Sequence, residues 1–123
     1  MKFRRAQALF VIAATVSFFG SFVTPAQAGT VELTIVNIET PQGVKIWEPE
    51  SIYARKGDTV TLKLINKLDK EHGYQIEAFG IKEVVPAKSS KTISFKADKV
   101  GIFPIRCQLH APHVAGQLVV ISE

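Results

Sequence analysis

From residue 31 onward, short runs of alternating apolar and polar positions are separated by turn residues. Val31-Glu-Leu-Thr-Ile-Val-Asn-Ile38 alternates and is rich in β-branched side chains. Thr59-Val-Thr-Leu-Lys-Leu-Ile65 places Val60, Leu62 and Leu64 on one face, and Lys91-Thr-Ile-Ser-Phe95 does the same for Ile93 and Phe95. Tyr74–Ala78 and Ile81–Val85 are short strand candidates around Gly80, and Gln117–Ile121 closes the chain. Ile46–Tyr53 is more irregular, with Pro41, Gly43 and Pro49 in or beside it. Arg55-Lys-Gly-Asp58, Pro86–Ser90 and Ala97–Gly101 supply turn chemistry, and Asn66–Gly73 reads as a polar loop. In Gly101–Cys107, Phe103, Ile105 and Cys107 share a face, while Pro104 predicts an edge or a bulge in that strand. No window holds a helical period over three turns. The pattern predicts an all-β domain, a sandwich of about seven to eight strands.

The N-terminus breaks this pattern. Lys2, Arg4 and Arg5 precede a mostly apolar run from Ala8 to Val23, and Ala26-Gln-Ala28 has the form of a cleavage site. These features predict a signal peptide over residues 1–28, cut after Ala28, and one domain over 29–123 in the periplasm or outside the cell. An uncleaved anchor is the alternative, and the Arg4-Arg5 pair leaves Sec and twin-arginine export both open. The formal charge of +4 then misleads, because three of the 15 basic residues fall in the leader. The remainder sets 12 Lys and Arg against 11 Asp and Glu, a net of +1. Such a balance offers no basic field for nucleic acid, and the cleaved chain has no stable membrane association.

Exported domains of this size are often stapled by disulfides. Here Cys107 is the single cysteine, so no intrachain bridge can form. Two of the three histidines follow it closely, in Cys107-Gln-Leu-His-Ala-Pro-His113. One reading is a buried thiol beside surface histidines, which is the usual fate of a lone C-x-x-H. A second is a cysteine nucleophile with a histidine base, although such pairs normally come from separate elements and a base three residues along a tight loop is poor geometry. The third is a metal site. Strand parity aims Cys107 inward, the following loop can fold His110 and His113 back towards the sulfur, and His72 follows a strong strand. One site then accounts for the cysteine and every histidine. A thiolate with imidazoles suits mononuclear copper, whereas closed zinc sites usually carry paired cysteines. Met1 is the single methionine, so none remains after cleavage to serve as an axial ligand.

Gly57-Asp58, the Asn66…His72 segment and the terminal C-x-x-H loop together resemble the cupredoxin family over essentially the whole of 29–123. The ligand loop looks like the short C-x-x-H-x-x-M loop of amicyanin-type proteins, with His113 in place of methionine. Asn66-Lys67, Gly73–Val84, Lys91–Lys99 and Cys107–His110 are further similar to the nitrosocyanin-like red copper proteins. The resemblance implies a cupredoxin-like antiparallel or mixed Greek-key β-sandwich holding one copper ion that cycles between Cu(I) and Cu(II). The red-copper pattern implies one cysteine, two histidines and a glutamate. At the position before Gly73, where that glutamate would fall, this chain has His72, with Glu71 one residue earlier.

The expected metal ligands are therefore His72, Cys107, His110 and His113, with Glu71 as the alternative axial group. Asn66 is an expected anchor for the ligand loops, and Trp47 and Phe79 are expected to be structural aromatics. The expected function is non-enzymatic electron shuttling through the edge of His110, framed by Ala111, Pro112, Val114 and Ala115, to transient redox protein partners. Copper storage or delivery, or binding of a small ligand of the nitric oxide type, is the alternative. A metal-free interaction sandwich is a third reading.

Overall fold

The computed structural model describes residues 20–21, 24, 27–110, 113 and 116–122. Most of residues 1–28, where a signal peptide was expected, and the expected rim residues Ala111, Pro112, Val114 and Ala115 lie outside the described residues. Among the described residues no helix is long and apolar enough to cross a membrane.

Among the described residues nine strands form: β1 (Thr30–Glu39), β2 (Lys45–Glu48), β3 (Ser51–Arg55), β4 (Thr59–Asn66), β5 (His72–Ile76), β6 (Ile81–Val85), β7 (Ser90–Lys96), β8 (Gly101–Ile105) and β9 (Gly116–Ile121). One sheet runs β2-β1-β4-β7, and a second runs β3-β9-β8. The β5–β6 hairpin joins the second sheet just past β8, where Gln75 and Arg106 exchange backbone hydrogen bonds of 2.8 and 3.0 Å. β1–β4 and β3–β9 are parallel and the other pairs antiparallel, so the sandwich is mixed.

The count exceeds the expected seven to eight strands because the segment Ile46–Tyr53 divides at Pro49. Proline cannot donate to a ladder, and the chain uses the break to change layers: β2 pairs with β1, and β3 with β9. Pro104 lies on β8, the outer strand of its three-stranded sheet. Gly57 turns the chain with φ of 95°, the conformation its sequence context called for. Beside it the Asp58 carboxylate accepts the Gly29 and Arg55 amides, each at 2.8 Å, and these bonds hold its pKa below the usual carboxylate value.

The inward faces are aliphatic. Ile35, Val60, Leu62 and Leu64 of one sheet meet Ile52, Leu118 and Val120 of the other, all essentially without exposure. A side cluster forms where Phe79 packs against Phe95 and Phe103, with ring centroids 5.3 and 5.0 Å away. At one end this inward face turns polar. Alternation carries the core face of β1 from Ile35 to Asn37, and that of β4 from Leu64 to Asn66. Asn37 and Asn66 are register partners, so both strands make the change at the same level.

Candidate metal centre

That polar end gathers the chemistry. The Asn66 side chain ties down the turn that follows β4. Its Nδ2 donates to the carbonyls of Lys70, Val85 and Pro86 at 2.7–3.1 Å, and its Oδ1 accepts the Leu68 amide at 3.0 Å. This compact turn delivers His72 as the first residue of β5, where it is 1 % exposed. The polar stretch expected to be loop through Gly73 therefore ends earlier. The reason is non-local: His72 and Gly73 pair with Val85 and Val84 of β6.

Cys107 lies two residues beyond Ile105, and the inward parity of β8 persists as far as its half-buried thiol. His113 forms a parallel bridge to Lys45 of β2, which brings the return of the loop beside the first sheet. The result is that donor atoms of His72, Cys107, His110 and His113 all lie within 4.8 Å of one another. His113 Nε2 is 3.0 Å from His72 Nδ1, and Cys107 Sγ is 3.7 Å from His110 Nδ1. Four donors around an ion bound at 2.0–2.3 Å stand roughly 3.3–3.8 Å apart; the Cys107–His110 pair already has this spacing, and the wider separations, up to 4.8 Å, close in when a single ion binds. Glu71 stays exposed on the turn and is not one of the converging group.

The electrostatics favour neutral imidazoles, the form that binds metal. Burial, then the neighbouring His113 and His110, lower the His72 pKa from 6.5 to about 4. Burial, then His110 and Lys45, lower that of His113. The outward nitrogens, His72 Nε2 and His113 Nδ1, are buried with no hydrogen-bond partner in the described structure.

Gly73, Trp47 and Gln108, none of them expected to act at the centre, form a chain of contacts that ends on the sulfur through Gly73. The Gly73 amide donates to Cys107 Sγ at 3.1 Å, and its carbonyl accepts the Trp47 indole N–H at 2.9 Å. Gln108 lies directly over Gly73, so that a Cβ there would meet its side-chain oxygen at 2.1 Å, while its amide donates to the Glu83 carbonyl at 2.9 Å. Glycine at 73 leaves the room that the end of the Gln108 side chain fills, and a larger residue would displace that side chain from Glu83. The sequence signal for it was slight: a glycine following a candidate ligand.

A family model for the cupredoxin-like domain matches residues 8–120. The chain belongs to the cupredoxin-like family. It is 36% identical over 75 residues to nitrous-oxide reductase of Cupriavidus necator, an alignment that spans 56% of this chain and 12% of that protein. Among solved structures it resembles copper nitrite reductase from Nitrosomonas europaea, with a TM-score of 0.65 and 21% identity over 76% of this chain and 42% of that one. It also resembles blue copper oxidase from Nitrosomonas europaea, with a TM-score of 0.62 and 16% identity over 76% of this chain and 39% of the other. The multicopper oxidase mgLAC gives a TM-score of 0.62 and 20% identity over 78% of this chain and 40% of its own length. The cupredoxin-like chain therefore spans less than half of each of these proteins, and the structural likenesses establish its fold. Family membership and the donor group of one thiol and three imidazoles together assign it one copper ion.

Proposed function

We propose that this cupredoxin-like protein is an exported, non-enzymatic electron carrier whose copper is held by Cys107, His72, His110 and His113. Bound copper supplies a one-electron Cu(I)/Cu(II) couple. The observation that carries the reading is the convergence of one thiol and three imidazoles at a single end of a rigid sandwich. Cys107 binds as thiolate, and the Gly73 N–H steadies the charge on its sulfur. His72, buried and neutral, anchors the inner side of the centre. His110 is half-buried, and its ring edge is the exit for the electron.

His113 supplies a fourth strong donor where a thioether would bind weakly. It therefore favours the oxidised ion and lowers the potential, and the centre absorbs differently from a simple blue site. His72 opens β5, Cys107 lies two residues beyond β8 and His113 is bridged to Lys45 of β2, so the sheets anchor three of the four donors and limit how far they shift between oxidation states. With a net charge near zero after leader removal, long-range steering is weak and redox partners bind transiently.

Absorption and EPR spectra of copper-loaded 29–123 test the assignment. A thiolate-to-copper band is expected in the parent and none in Cys107→Ser. His113→Ala is expected to shift the spectrum towards that of a three-ligand site, and an unchanged spectrum removes His113 from the set. Reversible reduction with fast self-exchange supports the carrier role, and ready loss of copper to an apoprotein supports delivery instead. A cleft beside the same histidines favours a further role, binding of a small ligand next to the metal.

A further inference from the structure

An open cleft of about 400 Å³ adjoins the centre. Its wall includes His72, His110 and His113 together with Lys45, Lys70 and Gln42, and among the described residues no carboxylate lines it. A smaller neighbouring cleft shares Lys45, Lys70 and His72 and does contain acids, Glu39 and Asp69. Lys45 reaches Glu39 at 3.6 Å, a loose pairing that leaves donor capacity free. Lys70 forms no ion pair among the described residues. The unpartnered His72 Nε2 belongs to a side chain that is 1 % exposed on this same wall. A cupric ion bound by one thiolate keeps a net positive charge, so ion and lysines act with the same sign on whatever enters.

We propose that this cleft binds a small inorganic monoanion, held by the Lys45 and Lys70 ammonium groups against the exposed side of the copper centre. The inference rests on the copper centre argued above. Lysine ammonium groups suit such a guest as point charges with rotatable donors. The cleft is far larger than one triatomic anion, given about 30 Å³ for a water molecule. The guest therefore keeps part of its hydration, binds in exchange with solvent, and discriminates by charge more than by shape.

Azide is the probe, titrated in chloride-free buffer into copper-loaded 29–123 and followed by absorption and EPR. A saturable spectral change is expected. Lys45→Gln and Lys70→Gln should each weaken it about tenfold, leave the thiolate band of the azide-free protein in place, and reduce the dependence of binding on ionic strength. A thiolate band that does not respond to azide overturns the anion site and leaves the copper centre standing. A response of undiminished affinity in both lysine variants overturns the role of the cleft. Absence of any thiolate band overturns the copper centre, and the anion site with it.

Discussion

The middle of the sandwich and its metal end are built from the same strands but obey different rules. In the middle, β4 presents Val60, Leu62 and Leu64 to Ile35 and to the opposite sheet, all apolar and fully buried. Two residues further along, the same face presents Asn66, with Asn37 beside it. The buried polar side-chain atoms that lack partners among the described residues belong to Asn37, His72, Tyr74, Gln108 and His113, in or next to this end. Unpartnered buried polar groups destabilise a fold. Stability is thus concentrated in the aliphatic layer, while the metal end tolerates a cost that an ion can offset by binding the native state alone.

Disrupting each region separately should give opposite signatures. Leu62→Ala is expected to lower apoprotein stability by about 2–5 kcal/mol, measured by denaturant unfolding, while the folded fraction keeps the copper spectrum. Cys107→Ser should do the reverse, removing the thiolate band with little change in the apoprotein midpoint. If Cys107→Ser unfolds the apoprotein as Leu62→Ala does, the division between the regions is wrong.

Asn66→Ala tests the boundary between them and should affect both. It removes a side chain that closes the turn before His72, so apo stability should fall by about 2–3 kcal/mol. Copper affinity should fall about 10–100-fold, as for the loss of groups that orient ligands. An effect on stability with unaltered copper affinity would make Asn66 a turn residue only.

Acid should act on the metal end before it reaches the middle. The unfolded chain takes up a proton on His72 near pH 6.5, whereas the folded chain resists until about 4. Neutral His72 therefore costs no stability above 6.5, and apo stability declines as the pH falls from 6.5 towards 4. His113, lowered in the same direction, adds to the decline. Unfolding curves of the apoprotein across this range should show it, and His72→Phe should flatten it. An equal slope in the variant would trace the acid sensitivity elsewhere. Glu71→Gln should have the smallest effect. Glu71 is exposed and apart from the converging donors, so the copper EPR spectrum should not change, and a clear shift would return it to the ligand set.

Much of the fold was legible because strand alternation is local. The inward sets of β4 and β8 follow from parity alone, and parity also aimed Cys107 at the interior. The residue types of the site were legible too, since a cysteine without a partner and the chain's three histidines suit one metal. The split at Pro49 was visible only as irregularity, because which sheet each half joins depends on distant strands. The strand position of His72 was hidden for a similar reason: its pairing partner is Val85, across the β5–β6 hairpin.

By itself, then, the sequence determined an all-β chain, a lone inward thiol, and a donor set suited to copper, with no second cysteine for a bridge. These are matters of composition and period, which each short segment carries within itself. Tertiary structure decided that β1 and β4 run parallel, that His113 returns beside Lys45 to stand 3.0 Å from His72, and that Trp47 and Gly73 form a chain of contacts to the sulfur. It also decided that Lys45 and Lys70 border an open cleft at the centre. Each of these joins residues distant in sequence, and their meeting depends on how the two sheets pack and not on any local pattern.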